Sequence, residues 1–187
     1  MDALLTAFVS AFLAEWGDKT QLVVAMLAAT TRRPATILAA LLLAALASNV
    51  VAAIAGVYIA ESVNIRAMTL LTALALLFAG ASGVIRRRQP RPQAPKRLLL
   101  ASAFILLLAA ELGDRTQFLT FALAGRFDSA PLAAAGATLG MIAACVPAAL
   151  LGDQLTKAVP VRAIRYSVAA LFLITGFITA VKALQLA

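Results

Sequence analysis

Two short stretches of this 187-residue chain hold the side chains able to do chemistry. Glu15-Trp16-Gly17-Asp18-Lys19-Thr20-Gln21 and Glu111-Leu112-Gly113-Asp114-Arg115-Thr116-Gln117 each offer two carboxylates, a cation, a hydroxyl and an amide. The chain has no His and a single Cys, Cys145, so a His/Cys zinc site, a disulfide framework and a Ser/His/Asp triad are all absent. Carboxylates must carry the chemistry.

Both stretches lie in the middle of apolar sequence. Uncharged residues run from Ala3 to Ala14 before Glu15 and from Thr20 to Thr31 after Lys19, and the second copy is flanked in the same way. A charge at the centre of a membrane helix costs about 2.5–3.5 kcal/mol on insertion scales, so six such residues require a compensating arrangement. On a regular helix Glu15, Asp18 and Lys19 stand at i, i+3 and i+4 and share a face, as do Glu111, Asp114 and Arg115. Gly17 and Gly113 would let the backbone loosen there, exposing carbonyl oxygens and turning Thr20, Gln21, Thr116 and Gln117 inward.

Four ionised carboxylates with Lys19 and Arg115 leave a surplus of two negative charges, which one divalent cation neutralises. Oxygen ligands without imidazole or thiolate favour hard ions such as Mn²⁺, Ca²⁺ or Mg²⁺ over Zn²⁺ or Cu⁺. Without the metal the clustered carboxylates repel one another, and protons would take the vacated places. Competition between metal and proton for one site suffices for an antiporter, provided the bundle changes state only when the site is neutralised. The structural alternative is a scaffold of salt bridges, Glu15 with Lys19 and Glu111 with Arg115; it leaves Asp18 and Asp114 without a purpose.

The rest of the chain must hold these residues in lipid. It is 63% hydrophobic and 13% charged, with a mean hydropathy of +0.97, which excludes an ordinary soluble domain. Residues 35–60, 67–85, 131–152 and 166–181 carry no charge and are near the length needed to cross ~30 Å of hydrocarbon. With the two motif-bearing stretches, 3–29 and 98–124, they predict an all-α membrane protein of six transmembrane helices. Residues 1–85 form one three-helix unit and 98–187 the other, joined by a basic, proline-rich linker at 86–97 that anchors at the cytoplasmic lipid surface.

The halves repeat at a spacing of 96 residues: Glu15, Gly17, Asp18, Thr20 and Gln21 recur in the second motif, and Gly56, Arg66 and Gly80 recur as Gly152, Arg162 and Gly176. Three spans per half is an odd number, so the second copy enters the bilayer upside down, giving two inverted three-helix repeats. Arg32, Arg33, Arg86, Arg87, Arg88, Arg91, Lys96, Arg97, Lys157, Arg162 and Arg165 fall on one side and Arg66, Arg126 and Lys182 on the other. The richer side is cytoplasmic, which puts both termini on the non-cytoplasmic side. The basic excess thus belongs to the membrane surface and not to nucleic acid, for which these loops build no groove. Met1-Asp2 precedes the first apolar run with no basic residue, which reads as mature chain and not as a signal peptide.

Lesser features have two readings each. Asn49, beside Ser48 in the second span, is a neutral oxygen ligand or an interhelical hydrogen-bonding residue; Cys145, 96 positions later, is a softer and weaker ligand. Gly136 and Gly140 mark a dimer face or close packing within one bundle. Pro147 is expected to kink the fifth span, Trp16 to pack beside the first motif, and Tyr58 and Tyr166 to sit near span ends.

The two motifs resemble those of the small membrane cation exchangers defined by two copies of E-x-G-D-[KR]-[TS], a family that includes bacterial manganese exporters and Golgi calcium/manganese–proton exchangers. Every fixed position matches in both copies, and the resemblance covers nearly the whole chain. It implies Mn²⁺ export, with Ca²⁺ as a second candidate, in exchange for protons and with no resident cofactor. It also implies metal and proton sites at Glu15, Asp18, Glu111 and Asp114, supported by Lys19, Thr20, Arg115 and Thr116. The short linker and the start of the chain suggest a bacterial inner membrane. The rival readings are a six-helix exporter of amino acids or other small metabolites, an intramembrane aspartic protease built on Asp18 and Asp114, and a purely structural membrane protein.

Overall fold

The computed structural model describes residues 1–85, 99–154 and 159–185; the basic linker at 86–97 and Lys157 lie outside these. The described residues form an all-helical structure of α1 (Asp2–Glu15), α2 (Lys19–Thr31), α3 (Pro34–Ala60), α4 (Ile65–Val84), α5 (Leu99–Glu111), α6 (Arg115–Phe127), α7 (Ala130–Leu151) and α8 (Val161–Leu184), with a 3-10 turn at Gly152–Gln154. The helices α3, α4, α7 and α8 are long and apolar enough to cross a membrane, and they coincide with the four uncharged runs.

Local sequence explains their ends. Pro34 opens α3, where a missing N–H costs nothing. Asn64 caps α4 by accepting the Ala67 N–H at 2.8 Å. Pro160 precedes α8, and Pro147 is carried inside α7. Threonine hydroxyls within the apolar helices bond back to the carbonyl four residues earlier, as Thr72 does to Met68 and Thr179 to Thr175, so no hydroxyl need face lipid unpaired.

The packing is the reverse of a soluble core. Alanines such as Ala7, Ala11, Ala14, Ala40, Ala44, Ala133 and Ala137 fill the interior, whereas Val51, Ile54, Ile105, Leu150, Ile174 and Phe177 are exposed. Lipid offers no hydrophobic reward for burying large side chains, so close helix approach through small residues does the work. Gly136 and Gly140 of α7 lie against the backbone of α1 at Leu4 and Phe8, which makes them packing sites within the bundle. Gly56 of α3 abuts Phe121 in the same way.

Both motif-bearing stretches depart from a regular helix. Each is broken at its centre, α1 from α2 and α5 from α6, so that Glu15 ends one half-helix and Lys19 begins the next. The expected shared face of Glu15, Asp18 and Lys19 is therefore lost, because Gly17 and Gly113 both adopt φ of +72°, outside the helical region. The broken stretch α1–α2 runs beside α7 in the same direction: Leu4 meets Gly136, Phe8 meets Gly140, Gln21 reaches Ala144 and Ala29 meets Gly152. α5–α6 runs likewise beside α3, with Leu107 in the cluster of Leu41 and Ala44, Gln117 at Ser48 and Gly125 at Gly56. These contacts recur at the 96-residue spacing of the sequence. α4 and α8 form an antiparallel pair in which Gly80 nestles against Ala169 and Leu173, and its counterpart Gly176 against Ala73 and Leu77.

A side chain at Gly136 or Gly56 would collide with backbone and not with a movable tip. We expect Gly56→Val and Gly136→Val each to cost about 1–3 kcal/mol by overpacking, read as a lower midpoint of thermal unfolding in detergent. An unchanged midpoint would contradict the packing described.

Candidate cation site

Each helix break is built by one glutamine. The Gly17 N–H donates to Gln21 Oε1 at 2.9 Å, and the Gly113 N–H donates to Gln117 Oε1 at 2.8 Å. The other ends of the same amides tie the breaks to neighbouring helices: Gln21 Nε2 donates to the Ala144 carbonyl at 2.9 Å, and Gln117 Nε2 to Ser48 Oγ at 3.2 Å. Gln21 and Gln117, expected to turn inward as supporting polar groups, thus act first on the backbone.

This frees the aspartates. Asp18 and Asp114 occupy the N-cap positions of α2 and α6 in extended conformation, yet neither carboxylate caps its own helix. Both point instead at the opposite motif: Lys19 Nζ stands 2.9 Å from Asp114 Oδ1 and Arg115 Nη2 stands 3.3 Å from Asp18 Oδ1. The ion pairs cross between motifs, not along one helix, so the scaffold expectation of Glu15–Lys19 and Glu111–Arg115 pairs is not what forms. The cross-pairing also spoils an aspartic-protease dyad, which needs two carboxylates sharing one proton. The positive N-terminal ends of α2 and α6 add to the field holding these anions at depth.

The glutamates close the half-helices α1 and α5 and are almost wholly buried, Glu15 at 0% and Glu111 at 1% exposure. Thr20 donates to Glu111 Oε1 at 2.5 Å. Its counterpart Thr116 makes no such bond; Glu15 Oε1 instead accepts from Cys145 Sγ at 3.9 Å. Arg115 also donates to the Ala14 carbonyl, left open by the break after α1. Glu15 lies within the electrostatic reach of Glu111, Asp18, Asp114 and Arg115, and Glu111 within that of Asp114, Asp18 and Lys19. All four acids therefore share one neighbourhood, although among the described residues no three His, Cys, Asp or Glu side chains are arranged to hold a metal ion. Glu15 Oε2, Asp114 Oδ2 and Thr116 Oγ1 are buried and have no hydrogen-bond partner among the described residues.

Asn49 proves to be a hydrogen-bonding residue. Its amide donates to Thr138 Oγ1 at 3.2 Å and accepts from Thr120 Oγ1 at 3.1 Å, linking α3, α6 and α7. Sequence reasoning overlooked Thr120 and Thr138. Thr120 was visible as the residue one turn beyond Thr116 on the same helix face, but Thr138 carries no sequence signal. Trp16 packs edge-on to Phe12, with ring centroids 6.1 Å apart, at the flank of the first break.

The two breaks differ in cover. Gly17 is buried beneath Val161 and Arg165 of α8, whereas a Cβ placed on Gly113 would meet nothing within 4 Å among the described residues. At a φ of +72° either Gly→Ala change is strained, so we expect Gly17→Ala to destabilise more than Gly113→Ala, by roughly another 1 kcal/mol from crowding. For the ion pairs, Arg115→Met removes the guanidinium from the buried Asp18 carboxylate and should cost about 3–5 kcal/mol, much of it recovered by adding Asp18→Asn. A thermal double-mutant cycle checks this; simple additivity would refute the pairing.

Comparison with known proteins gives a consistent picture. Residues 3–90 and 99–187 match the family described as "Divalent cation/proton antiporter GDT1". A protein of Vibrio cholerae described as "Putative manganese exporter" is 35% identical over 183 residues, covering 96% of this chain and 91% of that protein. No solved structure matches the chain significantly.

Proposed function

Because the chain belongs to the GDT1 divalent cation/proton antiporter family, a family of multi-pass membrane transporters and not of enzymes, we propose that it exports Mn²⁺ from the cytoplasm in exchange for protons, with Ca²⁺ as a further substrate. The cation is cargo, and no resident cofactor enters the reaction. The architecture is six spans in two inverted repeats, with α1–α2 and α5–α6 as discontinuous spans one and four. Support comes from the contacts that recur at a spacing of 96 and from α4 and α8, which meet antiparallel through equivalent glycines as a two-fold axis in the membrane plane requires. The proposed location is a bacterial inner membrane with both termini outside, following the excess of Lys and Arg on the other side.

The crossed ion pairs carry the mechanism. Lys19 and Arg115 act as tethered cations that hold Asp114 and Asp18 while no metal is present. A divalent ion entering the cluster displaces them and gathers Glu15, Asp18, Glu111 and Asp114; the unpartnered oxygens Glu15 Oε2, Asp114 Oδ2 and Thr116 Oγ1 are the first it meets. Thr20, on Glu111, keeps that carboxylate oriented. When the metal leaves, protons neutralise the glutamates and let the emptied site return. An inside-negative potential opposes export by ~2.3 kcal/mol per charge per 100 mV, so entry of two protons per Mn²⁺ removes that barrier by making the exchange electroneutral.

The test is ⁵⁴Mn²⁺ uptake into inside-out proteoliposomes with and without an imposed pH gradient, with Ca²⁺ as competitor. Wild type should accumulate Mn²⁺ when the lumen is acidic, and Glu15→Gln or Glu111→Gln should lower the initial rate at least tenfold. Flux indifferent to both glutamates, or to the gradient, sinks the proposal.

A further inference from the structure

The repeated sequence has one feature the transport site does not use. On α6, Arg126 Nη1 donates to Thr69 Oγ1 of α4 at 2.7 Å. Moving back 96 positions from Arg126 gives Thr30 on α2, and moving forward 96 from Thr69 gives Arg165 on α8. The equivalent pair is thus again one arginine and one threonine, with donor and acceptor exchanged between the helices. Among the described residues Thr30 and Arg165 are not joined: Thr30 donates to the Met26 carbonyl of its own helix, and Arg165 donates from Nη2 to the Tyr166 hydroxyl while its Nε is buried and has no hydrogen-bond partner there.

The helices that carry these pairs are packed just as unequally. α4 lies along the whole of α6, with Gly83 near Arg115, Phe78 edge-on to Phe118 at 5.2 Å, Thr72 reaching Ala122 and Met68 seated on Gly125. α8 has no comparable packing on α2; its first turns lie over Gly17 instead. α4 and α8 interlock through Gly80 and Gly176, and the pair packs along α6 and not along α2 among the described residues.

We infer that the α4–α8 pair exchanges its grip between α6 and α2 during transport, and that an Arg165–Thr30 contact replaces Arg126–Thr69 as the latch of the opposite state. Arg165 now stands at Gly17, thirteen positions short of Thr30, about 20 Å along a helix, so the two latches are mutually exclusive. On the proposed orientation Arg126–Thr69 closes the outer half, and the flank of α2 along which α8 does not pack among the described residues opens the motifs to the cytoplasm. An equal backbone with an unequal latch gives two states of similar energy, which a carrier that must return unloaded requires. The inference rests on the inverted-repeat part of the proposed function and not on the identity of the ion.

The experiment links introduced cysteines with a short bis-methanethiosulfonate reagent in the full chain and identifies the linked peptides by mass spectrometry, with single-cysteine variants controlling for Cys145. Thr69→Cys/Arg126→Cys and Thr30→Cys/Arg165→Cys should each link, never both within one molecule of the four-cysteine variant. Each link should lower ion flux at least tenfold, reversed by dithiothreitol. Arg126→Ala, which removes the present latch, should raise the 30–165 link at least twofold. Reactive thiols at 30 and 165 that never link, both links in one molecule, or no response to Arg126→Ala would overturn the inference. Exclusive links alongside Mn²⁺ flux indifferent to Glu15 and Glu111 would sink the ion assignment and leave this gate standing.

Discussion

A charge buried in an apolar bundle must be answered by another charge, and here the answer comes from the other half of the molecule. Lys19 pairs with Asp114 and Arg115 with Asp18, so neither motif is electrically tolerable without its copy. Ammonium and guanidinium thus hold the two aspartates in this arrangement.

The crossed pairing is possible because the helices break. A continuous helix would direct Asp18 along its own surface, where Lys19 and Glu15 are nearest. The positive φ at Gly17 and Gly113 and the reach of Gln21 and Gln117 to the glycine N–H groups turn the aspartates out of their own segments. The same breaks open the carbonyl of Ala14 to Arg115 and set the N-terminal ends of α2 and α6 at the cluster. Each glutamine spends its carbonyl on the turn and its amide on a neighbouring helix, so the turn and its position in the bundle are fixed together.

Near-identity of the motifs does not make them equivalent. Thr20 reaches Glu111 while Thr116 leaves Glu15 to Cys145, and Gly17 is roofed by α8 while Gly113 is open. Two copies of one sequence pattern in one chain here have different surroundings: α4 packs along α6, whereas α8 meets the first motif at Gly17.

Much of this was legible in the letters alone. The uncharged runs gave α3, α4 and α7 to within two residues and the middle of α8, whose Arg162, Arg165 and Lys182 carry the helix past its uncharged run at 166–181, because length and apolarity are what lipid demands of a span. The duplicated acids, bases, threonines and glutamines marked the residues that the fold gathers at the two helix breaks, because charge in hydrocarbon is too costly to be incidental. Tertiary structure alone decided who pairs with whom. Sequence separation favours Glu15 with Lys19, yet a glycine turn and a neighbouring helix carbonyl outweigh that proximity and send each base across to the other motif. It likewise decided that Asn49 bonds Thr120 and Thr138, and that Arg126 bonds Thr69 across helices while Arg165 bonds its neighbour Tyr166. A sequence repeat describes two like halves; only packing gave them different neighbours, because α4 lies along α6 while the first turns of α8 lie over Gly17.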